Sequence, residues 1–248
     1  MNQILHEQFL INIFDELGST NTQLAKDALS KNLDEFNVYL AHKQTKGKGR
    51  INRKWQSYKE NLQFSILLKP NISISKIHHI NFISVIALGN IIKNLNYSNL
   101  NISYKWPNDL IINDRKIAGI LLESLQGTNN EQLAILGIGV NIGNSPKNTT
   151  FPSQNLKDLG IIIDKITFLK DFLTEFKKLY NGWIDFGFRQ YRKIWLENAY
   201  NLNKIISISN GKKEISAIFK GITEDGELEI IENNRIITIR SADISPNN

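Results

Sequence analysis

Periodic hydrophobic positions divide most of the chain into helices and strands. Apolar residues recur at helical spacing in residues 15–33, predicted as a loop and then a helix, and in residues 75–95, predicted as a long core helix. Residues 167–199 are helical and aromatic-rich, and we expect two helices broken near Gly182 or Gly187. Short β-rich runs predict strands at residues 38–41, 61–68, 102–106, 110–112, 117–125 and 132–142.

The connections between the strands after residue 102 are short. Asn113-Asp114 reads as a tight turn, and residues 127–130 read as another. Because parallel neighbours need a long crossover, these connections predict antiparallel pairing.

After about residue 200 the pattern changes to short strands with hairpin signals. Asn210-Gly211 is the strongest signal, because this dipeptide favours a two-residue turn. We therefore expect two domains, residues 1–200 and a small β-barrel of residues 201–248. The barrel strands are predicted at residues 205–209, 215–219, 228–231 and 236–239.

Composition narrows the class of protein. The chain has 248 residues, of which 41% are hydrophobic and 22% charged, as is usual for a globular enzyme. The absence of cysteine excludes disulfides, zinc–cysteine sites and thiol catalysis. The N-terminus does not resemble a secretory signal, and no apolar run is long enough to span a bilayer. We expect a cytoplasmic protein that does not bind membranes.

The net charge comes from residues 43–54, which we name the basic loop. It holds six of the 30 Lys and Arg residues and no acid, so the rest of the chain is balanced at 24 cations and 24 acids. Its two glycines let backbone amides approach an anion, and its cationic side chains supply the counter-charge. This pattern predicts one phosphate site rather than a basic surface.

Neither glycine pattern in the chain matches a nucleotide-binding motif. The basic loop lacks the Gly-x-x-x-x-Gly-Lys-Ser/Thr spacing of a P-loop. Gly137-Ile138-Gly139 lacks the third glycine and the helix of a dinucleotide fingerprint. We interpret it as a strand in which glycines relieve crowding.

Three short segments carry candidate chemistry. Pro107 presents Asn108 and Asp109 at a sharp corner, although an Asx turn at a strand end gives the same pattern. Lys116 leads into a buried strand, where its ammonium either meets an anion or extends to solvent. The segment 18–21 (Gly-Ser-Thr-Asn) either caps a helix or lines a polar pocket. The four histidines show no metal-ligand spacing.

Five segments, taken in order, resemble the biotin–protein ligase family, also called biotin–[acetyl-CoA-carboxylase] ligases. They are Ser19-Thr20-Asn21, Gln44 with Gly47-Lys48-Gly49-Arg50 and Arg53-Lys54-Trp55, Lys105-Trp106-Pro107-Asn108-Asp109-Leu110, Arg115 to Glu123, and Gly137 to Ile142. Residues 221–228 also look like the family's C-terminal barrel. The resemblance implies an α/β (α+β) fold. Its catalytic domain would be similar to class II aminoacyl-tRNA synthetases, with a largely antiparallel mixed sheet, and its barrel would be SH3-like.

The resemblance also implies a reaction in two steps. Biotin and ATP, with Mg²⁺, give biotinoyl-5′-AMP and pyrophosphate. A lysine of a biotin carboxyl carrier protein then attacks the mixed anhydride and releases AMP. Because adenylation brings two anions together, it requires fixed positive charge.

Residue roles follow from the same resemblance. The implied catalytic residues are Lys116, Arg50 and Asp109, and Asp109 is also the candidate magnesium ligand. Those implied for biotin are Ser19, Thr20, Asn21, Gln44, Lys48, Gly49, Arg50, Lys116 and Gly119. Those implied for ATP and the adenylate are Arg50, Arg53, Trp55, Asn108, Lys116 and Asn141. We expect the basic loop to be mobile when empty and to close over the adenylate, excluding water.

The chain departs from the family in three places. Lys48 stands where the family often has Arg, so a bidentate contact is lost, and Asn52 replaces a common Gly. The motifs begin by residue 19, which leaves no room for the DNA-binding domain of some members. We therefore expect no specific DNA binding, while a homodimer through edge strands stays open.

Two other functions compete with this hypothesis. A lipoate–protein ligase would perform the same chemistry on the same fold. A nucleic-acid-binding module built on the small barrel belongs to another class, and fold alone does not decide between them. Residues 201–248 contain more acids than Lys and Arg, which argues against a basic platform.

Overall fold

The computed structural model describes residues 2–51, 53–127, 131–209 and 214–246. Its larger sheet contains eight strands: β1 (Asn2–His6), β2 (Phe9–Leu17), β3 (Asn37–Gln44), β4 (Leu62–Leu68), β5 (Ile102–Lys105), β6 (Asp109–Ile112), β7 (Arg115–Gln126) and β8 (Gln132–Val140). They pair in the order β1-β2-β3-β4-β8-β7-β6-β5. Among these described strands β2 and β3 pair in parallel and the other neighbours pair antiparallel, so the expected mixed and largely antiparallel sheet is confirmed.

The short connections behave as the sequence predicts. Asn113 and Asp114 both have positive φ, at 50° and 61°, and form the tight turn between β6 and β7. The predicted turn at residues 127–130 lies mostly outside the described residues. Gly137 and Gly139 lie within β8, so the interpretation of Gly-x-Gly as a strand is confirmed.

Four helices accompany this sheet: α1 (Thr20–Lys31), α2 (His79–Asn94), α3 (Lys165–Phe186) and α4 (Arg189–Glu197). The predicted break lies at Gly187, whose φ of 78° ends α3. Gly182 stays within α3, facing the hydroxyl of Tyr191. Asp164 caps the start of α3 by accepting hydrogen bonds from the backbone N–H groups of Ile166 and Thr167 at 3.0 and 2.9 Å.

The prediction of a loop beginning at residue 15 is wrong, because β2 extends to Leu17. The strands β1 and β2 were not predicted at all. Phe9 and Ile11 are fully buried, and Leu17 still pairs in parallel with Gln44. Parallel pairing needs a crossover, and α1 provides it between β2 and β3.

The two faces of the sheet are covered differently. The first face carries the main core, in which Phe172 of α3 packs edge-on against Phe64 of β4 with ring centroids 5.4 Å apart. On the other face, α1 packs Leu24 and Ala28 against a smaller cluster that includes Ile135 of β8. This second face continues along β8 beyond the N-terminus of α1, where the candidate site lies.

The C-terminal residues form a second sheet of five strands: β9 (Ile205–Ser209), β10 (Glu214–Ile222), β11 (Leu228–Glu232), β12 (Arg235–Ile239) and β13 (Asp243–Pro246). All pairs are antiparallel, in the order β12-β11-β10-β9-β13, and β13 was not predicted. Within the described residues the two end strands do not pair with each other. The Asn210-Gly211 turn lies outside the described residues.

The five-stranded sheet packs onto the larger part of the chain through a shared core. Phe219 of β10 contacts Trp195 of α4, and Trp195 contacts Phe82 of α2. The indole N–H of Trp106 donates to the carbonyl oxygen of Gly226 at 3.0 Å. The bounds of residues 1–200 and 201–248 for two domains stay a prediction.

His79 lies at this junction and is held as a neutral ring. Its Nε2 donates to the carbonyl oxygen of Glu224 at 3.0 Å, and its Nδ1 accepts from the indole N–H of Trp183 at 3.2 Å. The ring stacks on Phe188 with centroids 3.9 Å apart. Burial lowers the pKa of His79 to about 4, although the carbonyl of Glu224 opposes this shift.

We expect His79 to make the free energy of unfolding depend on pH. Between pH 6.5 and about 4 the unfolded chain binds a proton at His79 and the folded chain does not, so folding loses stability as the pH falls through this window. The shift corresponds to about 3 kcal/mol at most. His79→Phe keeps the stack and should flatten the difference between pH 7 and pH 4 in urea unfolding. Equal pH slopes in the two proteins would contradict this account.

Among the described residues, no helix is both long and apolar enough to cross a membrane.

Candidate functional site

A cavity of about 370 Å³ opens on the second face of the large sheet, between the start of α1, the basic loop and the β5–β6 corner. Every residue to which the family resemblance gives a role lines this cavity. Those residues are Ser19, Thr20, Asn21, Gln44, Lys48, Gly49, Arg50, Arg53, Trp55, Asn108, Asp109, Lys116, Gly119 and Asn141. The structure thus brings all of them together around one cavity.

One end of the cavity is a network of uncharged polar groups at the start of α1. Ser19 is the N-cap of the helix. The Gln44 side-chain oxygen accepts from both the backbone N–H of Thr20 at 2.7 Å and its hydroxyl at 3.1 Å. The hydroxyl of Ser65 in β4 lies 2.7 Å from that of Thr20. Capping and pocket lining, which the sequence left as alternatives, therefore occur together.

Asn21 extends this network across the sheet. Its amide nitrogen donates to the Glu123 carboxylate at 2.7 Å, and its amide oxygen accepts from the Ser65 hydroxyl at 2.5 Å. Asn21 is almost fully buried, so its polar atoms must find partners inside the protein. The geometry fixes the direction in which the amide of Asn21 faces.

Glycines form the floor of the cavity. A Cβ atom at Gly137 would collide with the side chain of Asn21, and one at Gly139 would collide with the indole ring of Trp55. At Gly119 a Cβ atom would lie 2.9 Å from the Nζ of Lys116 and 3.3 Å from Trp55. Any larger residue on this floor would displace a side chain of the site.

Gly137→Ala should therefore damage the polar end without unfolding the protein. The added methyl group forces Asn21 out of its contacts with Ser65 and Glu123, and for biotin, the ligand that the family resemblance implies, we expect about tenfold or greater loss of affinity in equilibrium dialysis. Gly18→Ala is the matched control, because a Cβ atom there meets nothing within 4 Å. Equal biotin affinity of both variants would disconnect Asn21 from ligand binding.

The basic loop folds back on itself as a narrow hairpin over the cavity. Gly49 donates its N–H to the carbonyl of Arg53 at 2.7 Å, and Trp55 donates to Gly47 at 3.0 Å. Ile51 has a φ of 51°, a left-handed conformation at the tip. Asn52, the departure that could relax this turn, lies outside the described residues. The hairpin projects the Arg50 and Arg53 side chains to one side.

The two arginines of the loop contact β13 and the residues before it. Arg53 forms an ion pair with Asp243, and Arg50 donates to the hydroxyl of Ser241 at 3.4 Å. Burial lowers the pKa of Arg50, whereas Asp243 and Asp109 oppose that shift, and a guanidinium stays charged at neutral pH. The C-terminal sheet therefore supplies part of the cavity wall.

The other end of the cavity holds a buried charge cluster around Asp109. The Lys116 ammonium lies 2.6 Å from one oxygen of Asp109, and the Lys105 ammonium lies 3.7 Å from the other. Burial alone would raise the pKa of Asp109, but Lys116, Lys105 and Arg50 together hold it below its usual value. The carboxylate is thus ionised, whereas burial lowers the pKa of Lys105 even though Asp109 opposes this shift.

Comparison with known proteins identifies the family. Residues 14–141 match the biotin/lipoate A/B protein ligase family, and residues 202–245 match the biotin protein ligase C-terminal domain. The chain belongs to the biotin/lipoate A/B protein ligase family. Relatives include the bifunctional ligase/repressor BirA of Bacillus subtilis, 30% identical over 243 residues, which cover 94% of this chain and 73% of the relative. Another is the biotin–[acetyl-CoA-carboxylase] ligase of Paracoccus denitrificans, 30% identical over 216 residues, which cover 85% and 89%.

The fold agrees with that of solved family members. A biotin protein ligase from Aquifex aeolicus, in complex with biotin and ATP, matches with a TM-score of 0.81 at 24% identity, covering 95% of this chain and 97% of the other. The apo structure of the same ligase matches with a TM-score of 0.78 at 20% identity. At this level of identity the likeness establishes the architecture of this ligase-family chain.

Two candidate residues of this ligase-family member use their side-chain amides to donate hydrogen bonds to backbone carbonyl groups of the same chain. Asn108 donates its side-chain amide to the carbonyl oxygen of Ile120. Asn141 donates to the carbonyl of Gln154 at 3.2 Å and is almost fully buried. Both side chains hold the walls of the cavity in place, and their contact with a nucleotide stays a prediction.

The charge cluster does not suit a magnesium ion at Asp109. Both carboxylate oxygens face ammonium groups, which a divalent cation would have to displace. Within the described ranges no group of three or more His, Asp or Glu side chains is placed to hold a metal ion. A magnesium ligand role for Asp109 therefore does not fit this arrangement.

Several residues of the family site were not assigned from the sequence. Lys105 stands in the quoted motif and has the same signal as Lys116, a lysine next to a buried strand, but received no role. Ser65 is a single serine in an apolar strand, and Asp243 lies far along the chain, so neither had a signal of its own. Only the fold brings Lys105 and Asp243 to the cavity wall and places Ser65 against Thr20, which lines it.

Proposed function

We propose that the chain is an ATP-dependent biotin–protein ligase. It would activate biotin as biotinoyl-5′-AMP and transfer the biotinoyl group to a lysine of a biotin carboxyl carrier protein. One observation carries the proposal: a single cavity joins an uncharged, hydrogen-bonding end at Asn21 to a cationic end at Lys116. Biotin has a ureido head and a carboxylate tail, and its two ends match these two environments.

At the polar end, the biotin head would be recognised by groups whose orientation is already set. The proposed contacts are Ser19, Thr20, Asn21, Gln44 and the Lys48–Arg50 backbone. Because Gln44, Ser65 and Glu123 hold Thr20 and Asn21 in place, little conformational entropy is lost on binding. The glycine floor at Gly119 would leave room for the apolar chain of biotin.

At the cationic end, the first step would join two anions. An oxygen of the biotin carboxylate forms a bond to the α-phosphorus of ATP, and the bond to pyrophosphate breaks. Lys116 and Arg50 would offset the negative charge that approaches and then develops there. Arg53 would bind the leaving phosphates. Trp55 would pack against the adenine ring.

In the second step, the amine of the carrier lysine attacks the acyl carbon and AMP leaves. The amine must lose its proton, since a lysine is normally protonated at neutral pH. Asp109 is a weak base, because its neighbours hold its pKa low. The proton would therefore pass to water, and we assign Asp109 the role of holding the Lys116 ammonium in place, since its two oxygens already face Lys116 and Lys105.

Magnesium and the assembly of the protein belong to the proposal as well. A Mg²⁺ ion would arrive bound to the phosphates of ATP, because this ion prefers phosphate oxygens and water to an all-protein site. A homodimer, the absence of specific DNA binding and a cytoplasmic location stay predictions.

The decisive test is the complete reaction. Purified protein is incubated with biotin, ATP and Mg²⁺ and a biotin carboxyl carrier domain, and intact mass is measured. We expect one added biotin on one lysine, and pyrophosphate release without the carrier. Lipoate in place of biotin separates the alternative, which the names of the relatives do not favour. Modification with lipoate but not with biotin would refute the proposal.

A further inference from the structure

We propose that Asp243 is a positioning residue: its carboxylate pairs with Arg53 until the phosphates of ATP take the place of the carboxylate. The inference rests on the proposed function, because it assigns Arg53 to the nucleotide. Asp243 belongs to β13 of the C-terminal sheet, whereas Arg53 belongs to the basic loop. The C-terminal sheet would thereby set the affinity for ATP.

The charges of the cavity wall support this assignment. Among the residues that the structure describes, six cationic side chains and two acids line the cavity: Lys48, Arg50, Arg53, Lys54, Lys105 and Lys116, against Asp109 and Asp243. Asp109 is already shared by two lysines in the buried cluster. Asp243 is thus the acid that pairs with the basic loop. Its partner, Arg53, is one of the cavity cations most exposed to an incoming ligand.

The ion pair of Arg53 and Asp243 is exposed enough for a ligand to replace the carboxylate. The Arg53 side chain is 59% exposed and that of Asp243 is 24% exposed. An ion pair this accessible contributes little to stability, because water and salt compete for both partners. Asp243 meets the guanidinium of Arg53 through Nη2 and Oδ2, whereas a triphosphate carries more charge and can accept two parallel hydrogen bonds from the same group.

The position of Asp243 adds a second effect in the same direction. Asp243 also acts on Arg50, whose pKa it raises against the effect of burial, and Arg50 contacts the neighbouring Ser241. The acid therefore lowers the positive potential where the phosphates must bind. Neutralising it should increase phosphate affinity both by freeing Arg53 and by removing a like charge.

The test compares Asp243→Asn with the unchanged protein. Inorganic triphosphate binding is measured by calorimetry at low salt, and KM for ATP is measured by pyrophosphate release. We expect Asp243→Asn to bind triphosphate about two- to fivefold more tightly and to lower the KM for ATP by the same factor. Biotin affinity should not change, and the difference should shrink at high ionic strength.

Matched variants separate position from charge. Glu232→Gln removes one acid from β11, which β10 and β9 separate from β13, and should leave triphosphate affinity unchanged. Asp243→Glu keeps the charge and should behave as the unchanged protein. Thermal unfolding checks that each variant is folded.

Two results would overturn the inference. Equal triphosphate affinity of Asp243→Asn and the unchanged protein means that Asp243 does not compete for Arg53. Weaker triphosphate binding by Asp243→Asn means that Asp243 assists the nucleotide directly. Because triphosphate binding needs no ligase activity, failure of the proposed function is seen separately, as an absence of pyrophosphate release by the unchanged protein.

Discussion

Lys116→Ala is expected to reduce the rate of biotin adenylation by about 10²- to 10³-fold, as for the removal of one preorganised donor to a developing charge. The Lys116 ammonium is held 2.6 Å from Asp109 at the wall of the cavity, so its position is set before the substrates bind. Pyrophosphate release with biotin and ATP, without a carrier, measures this step alone. The effect should fall mainly on kcat, because the charge matters most in the transition state.

The fold should survive this substitution. Asp109 keeps Lys105 near its second oxygen, and loss of Lys116 removes a like charge that lowers the pKa of Lys105, which favours its charged form. Lys193→Ala is the matched control, because Lys193 is 81% exposed and lies on α4, outside the cavity. Normal pyrophosphate release by Lys116→Ala, with the same thermal unfolding as the control, would remove Lys116 from the chemistry.

Arg50→Gly is expected to release biotinoyl-5′-AMP from the protein about 10 to 100 times faster. Arg50 is a cation over the cavity with burial strong enough to lower its pKa, so charge-assisted hydrogen bonds to a phosphate there would be well shielded from water. Free adenylate is a reactive mixed anhydride, and it should then modify exposed lysines of unrelated proteins. The half-life of the bound adenylate after rapid dilution gives the effect directly.

A control variant tests whether the effect is specific to Arg50 or follows from replacing any arginine by glycine. Arg235→Gly also replaces an arginine by glycine, in the exposed strand β12. It should retain the adenylate as the unchanged protein does. If Arg50→Gly holds the adenylate equally long, Arg50 does not retain it, and the basic loop must act in another way.

The sequence predicted the parts of the fold in which one physical signal dominates. The helices α2 and α3 carry long apolar periodicities, and the β6–β7 turn has two residues that tolerate positive φ. In β2 the alternation of Phe9 and Ile11 was present but short. It continues into a stretch with Asp15 and Glu16, whose exposed side chains resemble those of a loop. Parallel pairing with β3 keeps that stretch extended, and pairing over distance is not visible in local sequence.

The residues of the candidate site also differ in whether a local sequence signal could reveal them. Residues that stand in compact motifs, such as Lys116 and Asp109, could be found because each motif is a local combination of unusual residue types. Ser65 and Asp243 could not, since a serine in a strand and an acid near a chain end have many ordinary explanations. Their meaning comes from partners 45 and 190 positions away, Thr20 and Arg53.

The contact of Trp195 with Phe219 has a consequence for protein engineering. The C-terminal sheet has no separate interior on this side; it completes one that α2 and α4 begin. Grafting this sheet from a distant relative would leave gaps or clashes unless the facing helix residues were exchanged with it. Such a chimaera should therefore exchange the sheet together with the residues of α2 and α4 that pack against it, rather than the segment after residue 200 alone.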